Sequence, residues 1–218
     1  MNIALFGTSA DPPSVGHRAV IRWLADRFDL VAIWASDNPF KPDRTPLEQR
    51  TEMLTLMVET LRSGSSESDA TPGRPRAAES PCHNVECRPE LSHMRSIISV
   101  QRAKALWPKA HFTFAIGSDL IAQLPHWYRA ADLLQECDVI AIPRPGYPID
   151  TDALATLRDW GTVTIADVEG PAISSSAYRQ TLDAAVIPAP VAAYIERRKL
   201  YDVPTSQTSQ SVELGANG

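Results

Sequence analysis

Between Ile3 and His17 the chain reads Ile-Ala-Leu-Phe-Gly-Thr-Ser-Ala-Asp-Pro-Pro-Ser-Val-Gly-His. An apolar run enters Gly7, turns through Asp11-Pro12-Pro13 and reopens at Gly16-His17 into a helical pattern. A strand that delivers the chain to a helix start aims unpaired backbone N–H groups and partial positive charge at whatever sits above the strand end. His17, in the first helical turn, adds an imidazole donor that can be charged. A phosphate suits that arrangement. Taken alone, the same residues also read as a strand–turn–helix corner whose Gly and Pro serve only backbone geometry.

A second hydroxyl-rich start lies far along the chain, at Ile173-Ser174-Ser175-Ser176-Ala177-Tyr178-Arg179. Consecutive serines satisfy orphan helix N–H groups and also bind phosphate oxygens, with Arg179 about one turn further on the same face. The plainer reading is a serine N-cap followed by a solvated arginine. Lys41, Arg50 and Arg144 add cations that can hold phosphate, although a solvated position is the default for Lys and Arg. Asp119, two residues after Gly117, can accept from a ribose hydroxyl or cap the next helix. Trp127 can stack on a flat ring or belong to the core. Cys82 and Cys87, with His83 beside the first, hint at zinc, but the other two ligands of a four-coordinate site are missing from the neighbourhood.

These residues need a scaffold, and the apolar pattern supplies one. Strand-like runs occur at Ile3 to Phe6, Leu30 to Ala35, Val85 to Cys87, His111 to Ile116, Cys137 to Ile142 and Val163 to Ala166. Helical spacing is read at about Gly16 to Phe28, Leu47 to Leu61 and Met94 to Trp107. Shorter helices are expected near Asp119 to Leu124 and Arg129 to Leu134, and closing ones near Ser175 to Leu182 and Pro190 to Leu200. Strands separated by helices predict an α/β fold with a parallel sheet covered on both faces. Ligands in such sheets bind beyond the carboxyl ends of the strands. Gly7 to His17, Asn38 to Lys41, Gly117 to Asp119 and Pro143 to Pro145 all follow strands, so they should line one rim.

Composition sets the limits. A formal net charge of -5 leaves no global basic field for a nucleic-acid backbone, so phosphate chemistry must rest on local cations. Three cysteines leave an odd thiol and no disulfide framework, which fits a reducing cytoplasm. No apolar run approaches about 18 residues and no basic flank precedes the first strand, so neither a spanning helix nor a signal peptide is expected. Residues 63–81 are rich in Ser, Gly, Pro, Ala and Arg and read as a flexible insertion, and 204–218 as a disordered tail. Residues 1–203 then form one domain. The sequence is silent on oligomeric state.

The first segment resembles the G-x-F-D-P-x-H-x-G-H element of the small nucleotidylyltransferase superfamily. Gly7, Asp11, Pro12, Gly16 and His17 match in place. Ser14 stands at the first histidine, where the superfamily also tolerates threonine, and Ala10 stands at the usual Phe. The serine-rich segment resembles the second signature, I-S-S-T-x-x-R, with Ser176 for Thr. The likeness extends over most of the chain to the bacterial nicotinate-mononucleotide adenylyltransferases. It runs through Asn38-Pro39-Phe40-Lys41, Arg50 with Met53, Gly117-Ser118-Asp119, Trp127-Tyr128, Arg144-Pro145-Gly146-Tyr147-Pro148, Val191 to Ile195, and Leu200-Tyr201.

The resemblance implies a Rossmann-like α/β fold with a small C-terminal helical part. It implies transfer of AMP from ATP to nicotinate mononucleotide, with Mg²⁺ arriving with ATP. His17, Ser14 and Lys41 would act at the reacting phosphates. Gly7, Thr8, Ser9 and Gly16 would line the ATP side with His17, and Gly117, Asp119, Ser175, Ser176 and Arg179 would complete it. Lys41, Arg50, Trp127 and Arg144 would hold the acceptor, with the three cations not apportioned between the two substrates. The family's Ser-Tyr-Thr segment, which helps read the nicotinate ring, falls near Leu91-Ser92-His93-Met94, where Ser92 fits. Two other readings stand: a different phosphorylated acceptor (nicotinamide mononucleotide, phosphopantetheine or glycerol phosphate), or a homologue that binds nucleotides without catalysis.

Overall fold

The computed structural model describes residues 1–37, 44–64, 80–168 and 175–201. The expectations for Lys41, for the tail at 204–218 and for most of the 63–81 insertion lie outside those residues. Six strands form one sheet: β1 (Asn2–Thr8), β2 (Leu30–Ala35), β3 (Val85–Cys87), β4 (His111–Gly117), β5 (Asp138–Ile142) and β6 (Val163–Ile165). Their spatial order is β3-β2-β1-β4-β5-β6 and every neighbouring pair is parallel. The order reverses at β1 and β4, so the crevice for a ligand opens above their carboxyl ends.

Side-chain alternation divides the core into two layers. Ala4 and Phe6 of β1 face one way, with Val31 and Ile33 of β2. That layer is closed by α1 (Val15–Ala25), α2 (Leu47–Ser63), α6 (Ser175–Thr181) and α7 (Ala189–Arg198), through residues such as Ile21, Met53, Tyr178 and Val191. Ile3, Leu5, Ala32 and Trp34 face the other way against α3 (Ser96–Leu106), α4 (Ala130–Glu136) and α5 (Thr151–Trp160). All six residues of β2 are buried, as a strand covered on both faces requires. No described helix is long and apolar enough to cross a membrane.

The structure departs from the sequence reading at several elements. A helix was not expected between Ile142 and Val163, yet α5 lies there. The Asp150 carboxylate caps it by accepting from the N–H groups of Asp152 and Ala153, and it buries only Leu154 and Leu157. The helix expected near Asp119 to Leu124 is replaced by two 3-10 turns, Ser118–Leu120 and Leu124–His126, the second opened by Pro125. The first helix ends at Ala25 instead of Phe28, capped by the Asp26 N–H. The third begins at Ser96 instead of Met94, after a 3-10 turn at Pro89–Leu91.

Candidate active site

Ser14 is the N-cap of α1, in extended conformation and 0% exposed. Its backbone N–H donates to His17 Nδ1 at 3.1 Å, and its Oγ lies 2.9 Å from the same nitrogen. His17 is the third helical residue, so its imidazole takes the part that Glu or Gln plays in an ordinary capping box. A backbone N–H can only donate, so Nδ1 must accept and the neutral ring carries its proton on Nε2. Burial, with a smaller contribution from the charge of Arg144, pushes the His17 pKa down to about 4. The ring is therefore an uncharged Nε2–H donor at neutral pH.

The geometry bears on two expectations. The imidazole was read as a donor that can be charged; desolvation and the Arg144 guanidinium oppose that charge. Ser14 was read as acting at the reacting phosphates; its hydroxyl is buried and lies against His17 Nδ1, where it can orient the ring.

The second signature folds onto the first. The Ser175 hydroxyl donates to the Pro12 carbonyl at 2.8 Å. Arg179 Nη1 donates to the Asp11 carbonyl and lies 3.7 Å from Asp11 Oδ2, while Nη2 donates to Ser176 Oγ at 3.1 Å. Asp11 is 1% exposed, and its Oδ1 accepts from the Tyr201 hydroxyl at 2.6 Å. Burial, then the bond to Asp11, pushes the Tyr201 phenol far above its ordinary value, so it remains a donor. Tyr201 also stands edge-on to the ring of Tyr178 at 5.8 Å. Residues far apart in sequence thus close around one buried carboxylate. Sequence reasoning gave Asp11 and Tyr201 no role, although both belong to segments that carry the resemblance.

The geometry bears on Arg50 as well. It was read as an acceptor-binding cation, but it is 4% exposed. Its Nε donates to the Thr45 carbonyl at 2.8 Å, and Nη1 donates to those of Ser9 and Ser36 at 2.9 Å each. The guanidinium ties the exits of β1 and β2 to the turn before α2. Ser9 is thereby held through its carbonyl, and Thr8 likewise, since its carbonyl accepts from the Ser36 N–H at 2.7 Å. Arg44, which the sequence did not single out, lies half-buried beside this group. Burial is the main influence lowering its pKa, followed by the charge of Arg50.

The other half of the rim follows β4 and β5. The Ser118 Oγ donates to the Tyr147 carbonyl at 3.2 Å and accepts from the Arg144 N–H at 3.0 Å, joining the two strand exits. Arg144 Nη1 donates to Asp119 Oδ1 at 3.1 Å. A Cβ on Gly117 would stand 2.3 Å from that oxygen and 3.1 Å from Arg144 Cδ, so a side chain there would push the pair aside. Asp119 does not cap a helix. Gly7 has a comparable packing reason: a Cβ there would meet the Trp34 indole at 2.8 Å. Gly16 is buried within α1. Trp127 is half-buried against the second core layer.

The described parts of the expected rim therefore share one edge of the sheet. His17 with Ser14, Arg179 with Ser175 and Ser176, and Arg144 with Asp119 meet above β1, β4 and β5. The arrangement presents neutral and cationic donors held in place before any ligand arrives, which suits the charge that develops in phosphoryl transfer.

Comparison with known proteins agrees with this chemistry. A family model described as cytidylyltransferase-like matches residues 5–181. A protein of Synechocystis sp. named "Probable nicotinate-nucleotide adenylyltransferase" is 41% identical over 215 residues, covering 92% of this chain and 99% of its own. One of the same name from Gloeobacter violaceus is 32% identical, covering 93% and 97%. Among solved structures, the nicotinic acid mononucleotide adenylyltransferase of Plasmodium falciparum complexed with NaAD superposes with a TM-score of 0.71 at 19% identity. It covers 92% of this chain and 97% of its own, a likeness of fold.

Proposed function

This chain belongs to the cytidylyltransferase-like family and, within it, to the nicotinate-nucleotide adenylyltransferases, and on that premise we propose the reaction it runs. It is a nucleotidyltransferase that moves the adenylyl group of ATP to nicotinate mononucleotide. The products are nicotinate adenine dinucleotide, a precursor of NAD, and pyrophosphate. The observation that carries this reading is the docking of Ser175 and Arg179 onto Pro12 and Asp11, which brings both phosphate-binding segments beside His17.

The acceptor phosphate is largely dianionic at neutral pH, because its second pKa is near ~6. It needs no general base. One of its oxygens forms a bond to the α-phosphorus in line with the α–β bridging oxygen. The bond to that bridging oxygen breaks, and pyrophosphate leaves with the electron pair. The work left to the protein is alignment and charge stabilisation. His17 would hold its Nε2 proton toward the reacting phosphate, kept in that tautomer by Ser14. Arg179 would reach the outer phosphates with the N–H groups that Asp11 and Ser176 leave over, beside the hydroxyls of Ser175 and Ser176. Arg144 would meet phosphate on the acceptor side, and Asp119 a ribose hydroxyl. Lys41 remains a candidate by resemblance.

A divalent cation accompanies ATP in this chemistry, and we take it to be Mg²⁺, entering as part of the substrate. The donors at the rim are hydroxyls, imidazole and guanidinium, which suit phosphate oxygens and leave the metal to the triphosphate. We treat residues 1–203 as one catalytic domain. We assign it to the cytoplasm on the strength of its three free cysteines, two of them buried.

The test is pyrophosphate release from Mg-ATP with nicotinate mononucleotide, nicotinamide mononucleotide and phosphopantetheine offered in turn. The expected result is strong preference for the nicotinate form. Turnover with phosphopantetheine alone, or tight ATP binding with no product from any acceptor, overturns the assignment.

A further inference from the structure

We propose that Arg95 is the residue that distinguishes a nicotinate ring from a nicotinamide ring, by pairing with the ring carboxylate. This rests on the acceptor assigned above. The segment before α3 sits at the carboxyl edge of the sheet, because the Ser92 hydroxyl donates to the carbonyl of Ala35, the last residue of β2, at 2.7 Å. Arg102 of α3 holds that segment by donating to the carbonyls of Ser92 at 2.7 Å and Glu90 at 3.0 Å. The Arg95 N–H donates to His93 Nδ1 at 3.0 Å, which fixes the backbone of Arg95 at the entry to α3.

From there the Arg95 guanidinium lies over the ring of Tyr128, 3.9 Å from its centroid. The contact joins the segment around Ser92 to Trp127-Tyr128, so two stretches associated by resemblance with the acceptor ring meet. Tyr128 is 51% exposed, and Trp127, its neighbour in sequence, is half-buried. The result is an exposed aromatic ledge that carries the Arg95 guanidinium. Among the described residues Arg95 forms no ion pair. Arg144 offers the contrast: it lies 5.3 Å from the centroid of the Tyr147 ring and is already paired with Asp119 at 3.1 Å.

A flat aromatic acid fits such a ledge better than its amide does. Nicotinate carries a carboxylate that the planar guanidinium fork can take bidentately, whereas the amide is uncharged and offers one acceptor oxygen. The Ser-Tyr-Thr pattern of the resembling family is incomplete here beyond Ser92, and Arg95 follows that gap immediately.

The experiment measures kcat/KM with Mg-ATP for nicotinate and nicotinamide mononucleotides, in the wild type, Arg95→Ala and Arg95→Lys. Arg95→Ala should lower kcat/KM for the nicotinate form about tenfold to hundredfold, mainly through KM, and leave the nicotinamide form within about twofold. Arg95→Lys should recover part of the loss, since it keeps the charge without the fork. An unchanged preference in Arg95→Ala, or an equal loss for both acceptors, overturns the proposal while leaving the reaction intact. A wild type that turns over neither mononucleotide overturns the reaction itself, and this inference with it.

Discussion

Acidifying the free enzyme from about pH 8 to about pH 5 should leave His17 almost wholly uncharged. Its pKa is pushed from 6.5 down to about 4 by burial and by Arg144. At pH 5 roughly one ring in ten would then carry a proton, against roughly 97% for an unperturbed imidazole. The folded chain thus binds fewer protons than the unfolded chain below about 6.5, so stability falls as pH drops toward 4. Relative to a His17→Gln variant, which has no such group, the wild type should lose on the order of 2 kcal/mol of unfolding free energy between about pH 7 and pH 5. Two assays read this. Ring-nitrogen NMR, assigned by His17→Gln among the five histidines, follows the titration and reports which nitrogen is protonated. Urea denaturation at several pH values gives the difference between the two proteins. A His17 ring that titrates near 6.5, carries its proton on Nδ1, or leaves the pH slope of stability equal in both proteins refutes the reasoning.

Two substitutions test the bracing around the site. Arg50→Ala removes a buried guanidinium that serves the carbonyls of Thr45, Ser9 and Ser36; a loss of about 3–5 kcal/mol in urea denaturation is expected, and a change below about 1 kcal/mol would return Arg50 to the set of ligand-binding cations. Tyr201→Phe removes the donor to Asp11 Oδ1; it should cost about 1–3 kcal/mol in stability and raise KM for ATP, because Arg179 shares that carboxylate, whereas an unchanged KM would separate the clasp from phosphate binding.

The sheet was legible because burial on both faces leaves a plain mark in sequence: Leu30 to Ala35 admits no polar residue. The shared edge of the loops followed from parallel strands alone. The helix α5 was missed because it opens on Thr151 and Asp152 and commits only Leu154 and Leu157 to the core, too short an apolar stripe to stand out. At the site, segments could be read but the aim of individual side chains could not. Ser14 looks like any cap until His17 Nδ1 is seen turned onto it. Arg50 did carry a signal, since it continues the buried stripe of Met53, Met57 and Leu61 on α2, and a cation on an apolar face is normally held by partners inside. Tyr201 carried only its place in the resembling Leu200-Tyr201 segment, because its role depends on a contact spanning nearly the whole described chain.

That contact has a consequence for the order in which the protein is made. Asp11 precedes Arg179 by 168 residues and Tyr201 by 190, so it emerges from synthesis long before either. Ser175, Arg179 and Tyr201, which engage Asp11 and its loop, follow all six strands of the sheet. Until they are made, the Asp11 carboxylate lacks both the hydroxyl and the guanidinium that meet it in the folded protein. The clasp around that charge closes only when α6 and Tyr201 fold back onto the loop after β1.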